Sequence, residues 1–326
     1  MNNSLIRISL LIGLFFISNQ VKPQVISEDS LLARHRAAEA MSELDQMKYY
    51  YLVKENISEL QKGKFTEQTK AKIYLSASNV YNGNTDYSTA IEYVLKAIKI
   101  FNDLDDHESL SKAYNYLGGI YYNAYNYERC IYFTNKSIEI ALQYNSNERL
   151  PILYNNLAGA YLKLNDYEKA LEISFQALKY TKIYSKDQAS VIFGTMGEIH
   201  SAQKNYDSAS FYLNKALKLI ELQGDRSNLQ KVGLMLSLSQ NQFYRGEYDS
   251  ALESSSKTYK LSNKSNFIVF KKDAAAVLAD IYEIKNFPDS VNYYRSIFIE
   301  LADSVYNLDK ERQLSNVMIQ ARELEL

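Results

Sequence analysis

The sequence predicts an all-α protein, an α-solenoid of stacked helix–turn–helix repeats. The first observation is an aromatic residue, a small residue three positions later and a second small residue seven positions further on, as in Tyr167, Ala170 and Ala177. The second is that this pattern occurs in six copies at intervals of 39 to 42 residues, with the larger Ile297 at the second small position of the last copy. The third is the scarcity of helix breakers, with 11 glycines and 3 prolines in 326 residues. A single pair of helices cannot bury its apolar face, so successive pairs must stack and share a core.

The six copies are aligned on the small residue of the predicted second helix. These residues are Ala90, Cys130, Ala170, Ala209, Ala251 and Ser290. The aromatic residues three positions earlier are Tyr87, Tyr127, Tyr167, Tyr206, Tyr248 and Phe287. The residues seven positions later are Ala97, Ser137, Ala177, Ala216, Thr258 and Ile297. A spacing of three and seven places these side chains on one face of a helix.

A first helix precedes each aromatic residue. Leu157, Ala158 and Tyr161 show its pattern, with a large residue, a small one and an aromatic one on a single helical face. We expect the small residue of the second helix to face a notch at Gly118 or Ala158, where two antiparallel helices approach closely. The turn before each second helix offers a polar residue, and all but Glu247 are favoured N-caps. These residues are Asp86, Asn126, Asp166, Asn205, Glu247 and Asn286.

These motifs resemble those of the tetratricopeptide repeat family over residues 70–300, and they are most specific in the second to fourth copies. The period near 40 exceeds the family's usual value of about 34. It is similar to the long-period form found in exported sensor arrays of bacterial signalling proteins. The resemblance implies a right-handed superhelix, a binding role and no catalysis.

The ends of the array lack the repeat signature. Residues 27–66 are interpreted as an N-terminal helical cap, either one long helix or an atypical pair, because terminal units of solenoids deviate from the pattern. Residues 67–298 contain the six repeats. Residues 299–326 form a predicted C-terminal helix with an imperfect apolar stripe, which either caps the last repeat or continues as a signalling helix into a membrane span or a coiled coil.

Residues 1–20 are interpreted as a signal peptide. A short basic segment precedes ten apolar residues, Ile8 to Ile17. A membrane span needs about 20 such residues, so a cleaved signal is favoured over an anchor, and a buried first helix is the alternative. We therefore expect export to the periplasm or cell envelope of a bacterium. No later stretch predicts a membrane span.

Composition and motifs favour no reaction. The 37 basic and 38 acidic residues nearly cancel, so we expect no nucleic-acid partner for this chain. No metal-ligand spacing and no phosphate-binding loop occurs, so no catalytic, cofactor or metal site is predicted. Cys130 occupies a small-residue position, which favours a buried structural thiol over a nucleophile. His200 occupies the position of Tyr121 and Tyr161 and is interpreted as a packing substitute.

The family resemblance implies that the first helices line a concave groove that binds a protein or peptide. The groove residues it indicates are Asn79, Asn82, Asn115, Tyr122, Asn123, Asn155, Lys163 and Glu198. Asparagine both donates to and accepts from a peptide backbone, so Asn79, Asn115 and Asn155 would form a ladder across three helices. The alternative is that some of these asparagines cap or bridge neighbouring helices. Self-association through the end helices is a further expectation.

Three functions remain open at this stage. The first is a non-catalytic sensor or scaffold that belongs to a signal-transduction system in the cell envelope. The second is a scaffold for an envelope assembly or secretion complex, which would dock partners on the convex face and the end helices. The third is an enzyme with a site that the sequence does not reveal.

Overall fold

All regular structure in the described part of the chain is helical, as predicted. The computed structural model describes residues 26–41, 46–184, 188–223, 228–264 and 267–303. The predicted signal peptide lies outside the described residues, as does the part of the predicted C-terminal helix from residue 304 onwards.

The helices follow one another in antiparallel pairs. The N-terminal pair is α1 (Glu28–Met41) and α2 (Gln46–Lys62), so the predicted cap is two helices rather than one. The next pairs are α3 (Glu67–Gly83) with α4 (Tyr87–Asp103), α5 (His107–Asn123) with α6 (Tyr127–Gln143), and α7 (Leu150–Lys163) with α8 (Tyr167–Tyr184). The last are α9 (Ala189–Ala202) with α10 (Tyr206–Gln223), α11 (Asn228–Tyr244) with α12 (Tyr248–Lys264), and α13 (Ile268–Ile284) with α14 (288–303).

The period of 40 residues follows from the lengths of helices and turns. The helices α3, α4, α5 and α6 each contain 17 residues, and turns of three residues connect them. The middle residue of each turn has a positive φ, as at Thr85 (62°) and Asp105 (54°), and it reverses the chain direction. Longer helices therefore account for the excess over the usual family period.

The predicted N-caps are confirmed at four second helices. In each, a side-chain oxygen accepts a hydrogen bond of 3.1–3.3 Å from the backbone N–H three residues later. Such a cap stabilises a helix by about 1 kcal/mol. The four capping residues are Asp86, Asn126, Asp166 and Asn205.

The sixth copy departs from the predicted register by one residue. The helix α14 begins at Pro288, and Asn286 is the turn residue with positive φ (59°) rather than the N-cap. Val291 donates its backbone N–H to the Phe287 carbonyl at 3.1 Å and is buried, so it takes the position assigned to Ser290. Proline favours the first position of a helix because it has no N–H to satisfy there, and this fixes the register.

The predicted notch is present at Gly118. A Cβ atom at this position would lie 2.7 Å from Thr134 Oγ1 and 3.3 Å from the Cys130 carbonyl oxygen. The first and second helices of this pair therefore touch at the glycine. The aligned small residues are fully buried in the first five copies, at Ala90, Cys130, Ala170, Ala209 and Ala251.

Direct contacts between the first helices of successive pairs place these helices on the inner side of the array. The helices α3, α5, α7, α9, α11 and α13 pack side by side along the chain, whereas the second helices pack mainly on their sequence neighbours. The concave surface is therefore formed by first helices, as in the prediction. At the N-terminal end, Tyr49 and Val53 of α2 pack on Ala77 and Val80 of α3 and cover the first repeat.

Ala170 provides a direct test of the repeat register. Its side chain is fully buried between helices, so Ala170→Leu inserts methylene groups into a packed interface. We expect the free energy of unfolding to fall by about 1–3 kcal/mol. Chemical denaturation measures the change, and an unchanged stability would mean that Ala170 does not face its partner helix.

Candidate binding groove

Three cavities follow one another along the concave surface. The cap cavity, of about 310 Å³, lies between the N-terminal pair and the first two repeats. The central cavity, also of about 310 Å³, is formed by α5, α6, α7 and α9. The distal cavity, of about 490 Å³, is formed mainly by α7, α9 and α11. Residues lining the central cavity include Gly119, Tyr122, Asn123, Asn155, Asn156, Gly159, Leu162 and Glu198.

The structure brings most of the predicted groove residues together. Tyr122, Asn123, Asn155 and Glu198 line the central cavity, although they come from three different repeats. Lys163 and Glu198 line the distal cavity next to it. Asn79 lies apart from this group, in the cap cavity. The binding role of these side chains stays a prediction.

Several of the predicted asparagines bridge neighbouring helices. Asn123 Nδ2 donates to Asn82 Oδ1 at 3.1 Å, and Asn156 Nδ2 donates to Asn115 Oδ1 at 3.0 Å. Asn79 Nδ2 donates to the Tyr49 hydroxyl at 3.4 Å. The bridging alternative therefore describes Asn82, Asn115 and Asn123, and these side chains rigidify the groove. A bridged asparagine retains further hydrogen-bonding capacity, because each amide has two N–H groups and two oxygen lone pairs.

Asn155 differs from the other asparagines of the groove. Its side chain is 8% exposed, and its Oδ1 atom has no hydrogen-bond partner among the described residues. A buried amide oxygen without a partner costs about 1–3 kcal/mol. Because Asn155 also lines the central cavity, its unpaired oxygen is a candidate acceptor for a ligand there.

Glu198 gives the central cavity its acidic character. Its side chain is exposed to the solvent of the groove, while the protein atoms around it remove part of its hydration. This desolvation raises the pKa of the Glu198 carboxyl, and the charge of Lys163 offsets part of the increase. Burial and then the nearby Glu198 charge also raise the pKa of the Tyr122 phenol, which therefore stays neutral.

Sequence reasoning missed two features of the groove. Asn156 pairs with Asn115 although the repeat alignment matched Asn155 to Asn115, because the pairing spans 41 residues rather than 40. The cap cavity is lined partly by His35 and Glu39 of α1, which no repeat pattern covers. For the Asn115–Asn156 pair, the available sequence signal was two asparagines separated by about one repeat period. For the cap cavity there was no sequence signal.

Cys130 and His200, the two residues considered for a chemical role, both lie in packed surroundings. Cys130 is 1% exposed, and burial raises the pKa of its thiol to about 11. The His200 ring stacks on Tyr212 with centroids 5.4 Å apart, as Tyr121 stacks on Phe133 at the same distance. Burial lowers the pKa of His200. The interpretation of His200 as a packing substitute agrees with this geometry.

Cys130 is expected to be unreactive in the folded protein. A pKa near 11 leaves very little thiolate at pH 8, and thiolate is the reactive species. We predict that iodoacetamide leaves Cys130 unmodified in the folded protein at pH 8. In about 6 M guanidinium chloride, which unfolds the chain, it should alkylate Cys130 fully. Intact mass spectrometry measures both. Rapid labelling without denaturant would contradict a buried structural thiol.

An apolar cavity of about 700 Å³ lies on the outer side of the array, between α8, α9 and α10. Phe175 is 54% exposed at its rim and Phe211 is 61% exposed. Lys179 and Lys215 flank these rings, and Lys215 Nζ lies 4.1 Å from the Phe193 ring centroid. This surface is separate from the groove.

The described residues contain neither a metal-binding cluster nor a membrane-spanning helix. No cluster of three or more His, Cys, Asp or Glu side chains there is arranged to hold a metal ion. Within the same residues, every helix is too short or too polar to cross a membrane.

The sequence matches the profile of a known family at two places. Residues 148–221 match one profile described as Tetratricopeptide repeat, and residues 71–104 match another with the same description. The first match covers α7, α8, α9 and most of α10, and the second covers most of α3 and α4. These two segments therefore match tetratricopeptide repeats. A comparison with curated protein sequences finds no match.

Solved structures of other proteins share the fold. The apo form of RapI aligns with a TM-score of 0.65 at 16% identity, over 85% of this chain and 99% of that one. A Rap protein complexed with Competence and Sporulation Factor aligns with a TM-score of 0.67 at 15% identity, over 95% and 89%. NprR in complex with its cognate peptide NprX aligns with a TM-score of 0.62 at 14% identity, over 97% and 94%. Likeness at such identities shows the fold alone, and this fold generally serves as a non-enzymatic binding scaffold.

Proposed function

We propose that this protein is a non-catalytic array in the cell envelope of a bacterium, where it binds a peptide or an extended protein segment along its concave surface. We propose further that it is the sensory or scaffolding part of a signal-transduction system. The observation that carries the proposal is the central cavity, where Tyr122, Asn155 and Glu198 from three repeats line one space. Residues on three stacked helices can contact an extended chain that crosses all of them.

The mixture of polar and apolar groups in the groove supports a peptide ligand. Asn155 offers an unpaired acceptor, and Glu198 offers a charge, while Leu162 and the Tyr122 ring offer apolar contact. Extended peptides need both kinds of contact, because backbone groups require hydrogen bonds and side chains require pockets. Two proteins of similar fold support the same reading: one was solved with Competence and Sporulation Factor and the other with a cognate peptide.

A binding assay with matched asparagine variants tests the groove. The full chain is immobilised, a synthetic library of free hexapeptides is passed over it, and retained peptides are quantified by mass spectrometry. We expect the double variant Asn115→Ala and Asn155→Ala to lose most retention. Asn214→Ala is the matched control, since Asn214 is exposed on the second helix α10. Unchanged retention by the double variant, with the fold intact by circular dichroism, would remove these asparagines from the account.

The location in the envelope rests on residues 1–20 and has its own test. Native cells are fractionated and probed with an antibody raised against the repeat array. A soluble envelope band near the 37.6 kDa chain mass, less its signal, would support a free scaffold. A much larger band in the inner membrane would support an input domain of a receptor, and a cytosolic band would contradict the proposal.

A scaffold for an envelope assembly is the second candidate, and the outer apolar cavity favours it. Its rim of Phe175 and Phe211 beside Lys179 and Lys215 suits a partner chain whose apolar side chains are flanked by acidic groups. This candidate predicts a stable complex that co-purifies with the full chain. Phe211→Ser would abolish that complex, whereas the double asparagine variant would leave it unchanged.

A further inference from the structure

The chemistry of the central cavity indicates which part of a ligand it holds. Two of the residues that line the cavity stand out as hydrogen-bond acceptors: Asn155, whose Oδ1 atom is buried and has no partner among the described residues, and Glu198, whose side chain is exposed to the groove. A ligand that satisfies both must bring N–H or O–H donors. An ionised donor is preferred, since charge-assisted hydrogen bonds are about twice as strong as neutral ones.

The balance of charge also favours a cation. Glu198 is the charged residue that lines the central cavity. Lys163 does not line the central cavity; it lines the neighbouring distal cavity together with Glu198 and acts on that carboxyl through space, and no ion pair links the two side chains. Because partial desolvation raises the pKa of the exposed Glu198 carboxyl, a cationic partner would stabilise its ionised form.

The rest of the cavity suits an aliphatic stem. Leu162 and the Tyr122 ring form apolar walls, and two glycines keep the space open. A Cβ atom at Gly119 would meet nothing within 4 Å, and one at Gly159 would lie 3.9 Å from Tyr122 Cε2. Long basic side chains pack their methylene groups on apolar surface while the charged end finds polar partners, and an aromatic face attracts cations.

We infer that the central cavity is a subsite for a primary ammonium group of the bound peptide, held by Asn155 and Glu198 with its aliphatic stem along Tyr122 and Leu162. This inference rests on the proposed function, because it assigns one subsite of the peptide groove. A lysine side chain and the free N-terminus of a peptide carry the same ammonium chemistry. The test below separates these two sources.

The test compares selection by the full chain and by charge variants. The probe is a positional-scanning hexapeptide library made in two forms, with free and with acetylated N-termini. We expect the wild-type chain to enrich peptides with lysine at one position if the side chain is the source. Selection of free over acetylated peptides would instead identify the N-terminus.

Two substitutions at Glu198 give opposite expectations. Glu198→Gln keeps the shape and removes the charge, so the best peptide should bind about 30-fold more weakly or worse. Glu198→Lys should reverse the preference toward acidic peptides, a gain that an unfolded variant cannot show. Glu139→Gln, on the exposed side of α6, is the matched control and should select the same peptides as the wild type.

The outcomes separate the subsite from the groove. Peptide binding without any preference for an ammonium group, or identical selection by wild type and Glu198→Gln, would overturn the subsite and leave the groove proposal standing. No peptide retained by the wild-type chain would overturn the proposed function and the subsite with it. A preference for ammonium that Glu198→Lys reverses would establish both.

Discussion

Leu213→Ala is expected to lower the free energy of unfolding by about 2–5 kcal/mol. Leu213 is fully buried in α10, where it packs in one cluster with Ile192 and Met196 of α9. Its removal costs the transfer free energy of the lost atoms and leaves a cavity between the helices. Chemical denaturation measures the total. Hydrogen exchange in α9 and α10 localises the loss, because each repeat contacts only its neighbours.

A double-mutant cycle with Gly197 identifies the reason for the effect. A Cβ atom at Gly197 would lie 2.7 Å from Leu213 Cγ and 2.8 Å from Leu213 Cδ2. Gly197→Ala alone should therefore overpack the pair and cost about 1–3 kcal/mol. In the double variant those leucine atoms are absent, so its loss should be smaller than the sum by about 0.5–3 kcal/mol.

The control for this cycle is a distant glycine. Gly119→Ala lies two repeats away from Leu213, so the same cycle built with Gly119 should be additive within about 0.5 kcal/mol. Strict additivity of Gly197→Ala and Leu213→Ala would mean that the two residues do not share space. Close approach of the two helices would then not explain why the first helices carry small residues at this position.

Most of the fold could be predicted from sequence, because the residues that set it act locally. The aromatic and small residues of each second helix recur at fixed spacing, and the N-caps such as Asp166 act on an amide three residues away. The sixth copy shows the limit of such reasoning. Phe287 mimics the repeat aromatic, but Pro288 occupies the first helical position and shifts the register by one residue. The turn before α14 has three residues like the earlier turns, so the difference arises from matching Phe287 by side-chain type rather than from the length of the turn.

The groove was predicted less completely because it depends on the offset between neighbouring helices. The family pattern indicated Asn115 and Asn155 as equivalent residues. Packing instead pairs Asn115 with Asn156 and leaves Asn155 Oδ1 unpaired at the wall of the cavity. Spacing along one helix says which face a residue occupies, but the contact across to the next helix depends on their relative translation. That translation is set by the whole interface rather than by any local motif.

Gly118→Ala and Gly119→Ala are expected to change stability in opposite directions, although the two glycines are adjacent in α5. At Gly118 a Cβ atom would lie 2.7 Å from Thr134 Oγ1, and the backbone of α6 lies 3.3 to 3.4 Å away. A threonine rotamer change cannot relieve the backbone contact. The helices must therefore separate, and the free energy of unfolding should fall by about 1–3 kcal/mol.

At Gly119 the same methyl group meets nothing within 4 Å, since it points into the open groove. Alanine restricts the unfolded chain and favours the helix, so Gly119→Ala should raise the free energy of unfolding by about 0.5–1 kcal/mol. Parallel urea titrations of the two variants measure both changes. The same sign for both would mean that α5 is rotated relative to α6, and then Gly119, Tyr122 and the wall of the central cavity would not face the groove. Opposite signs would fix the helix face on which the ammonium subsite depends.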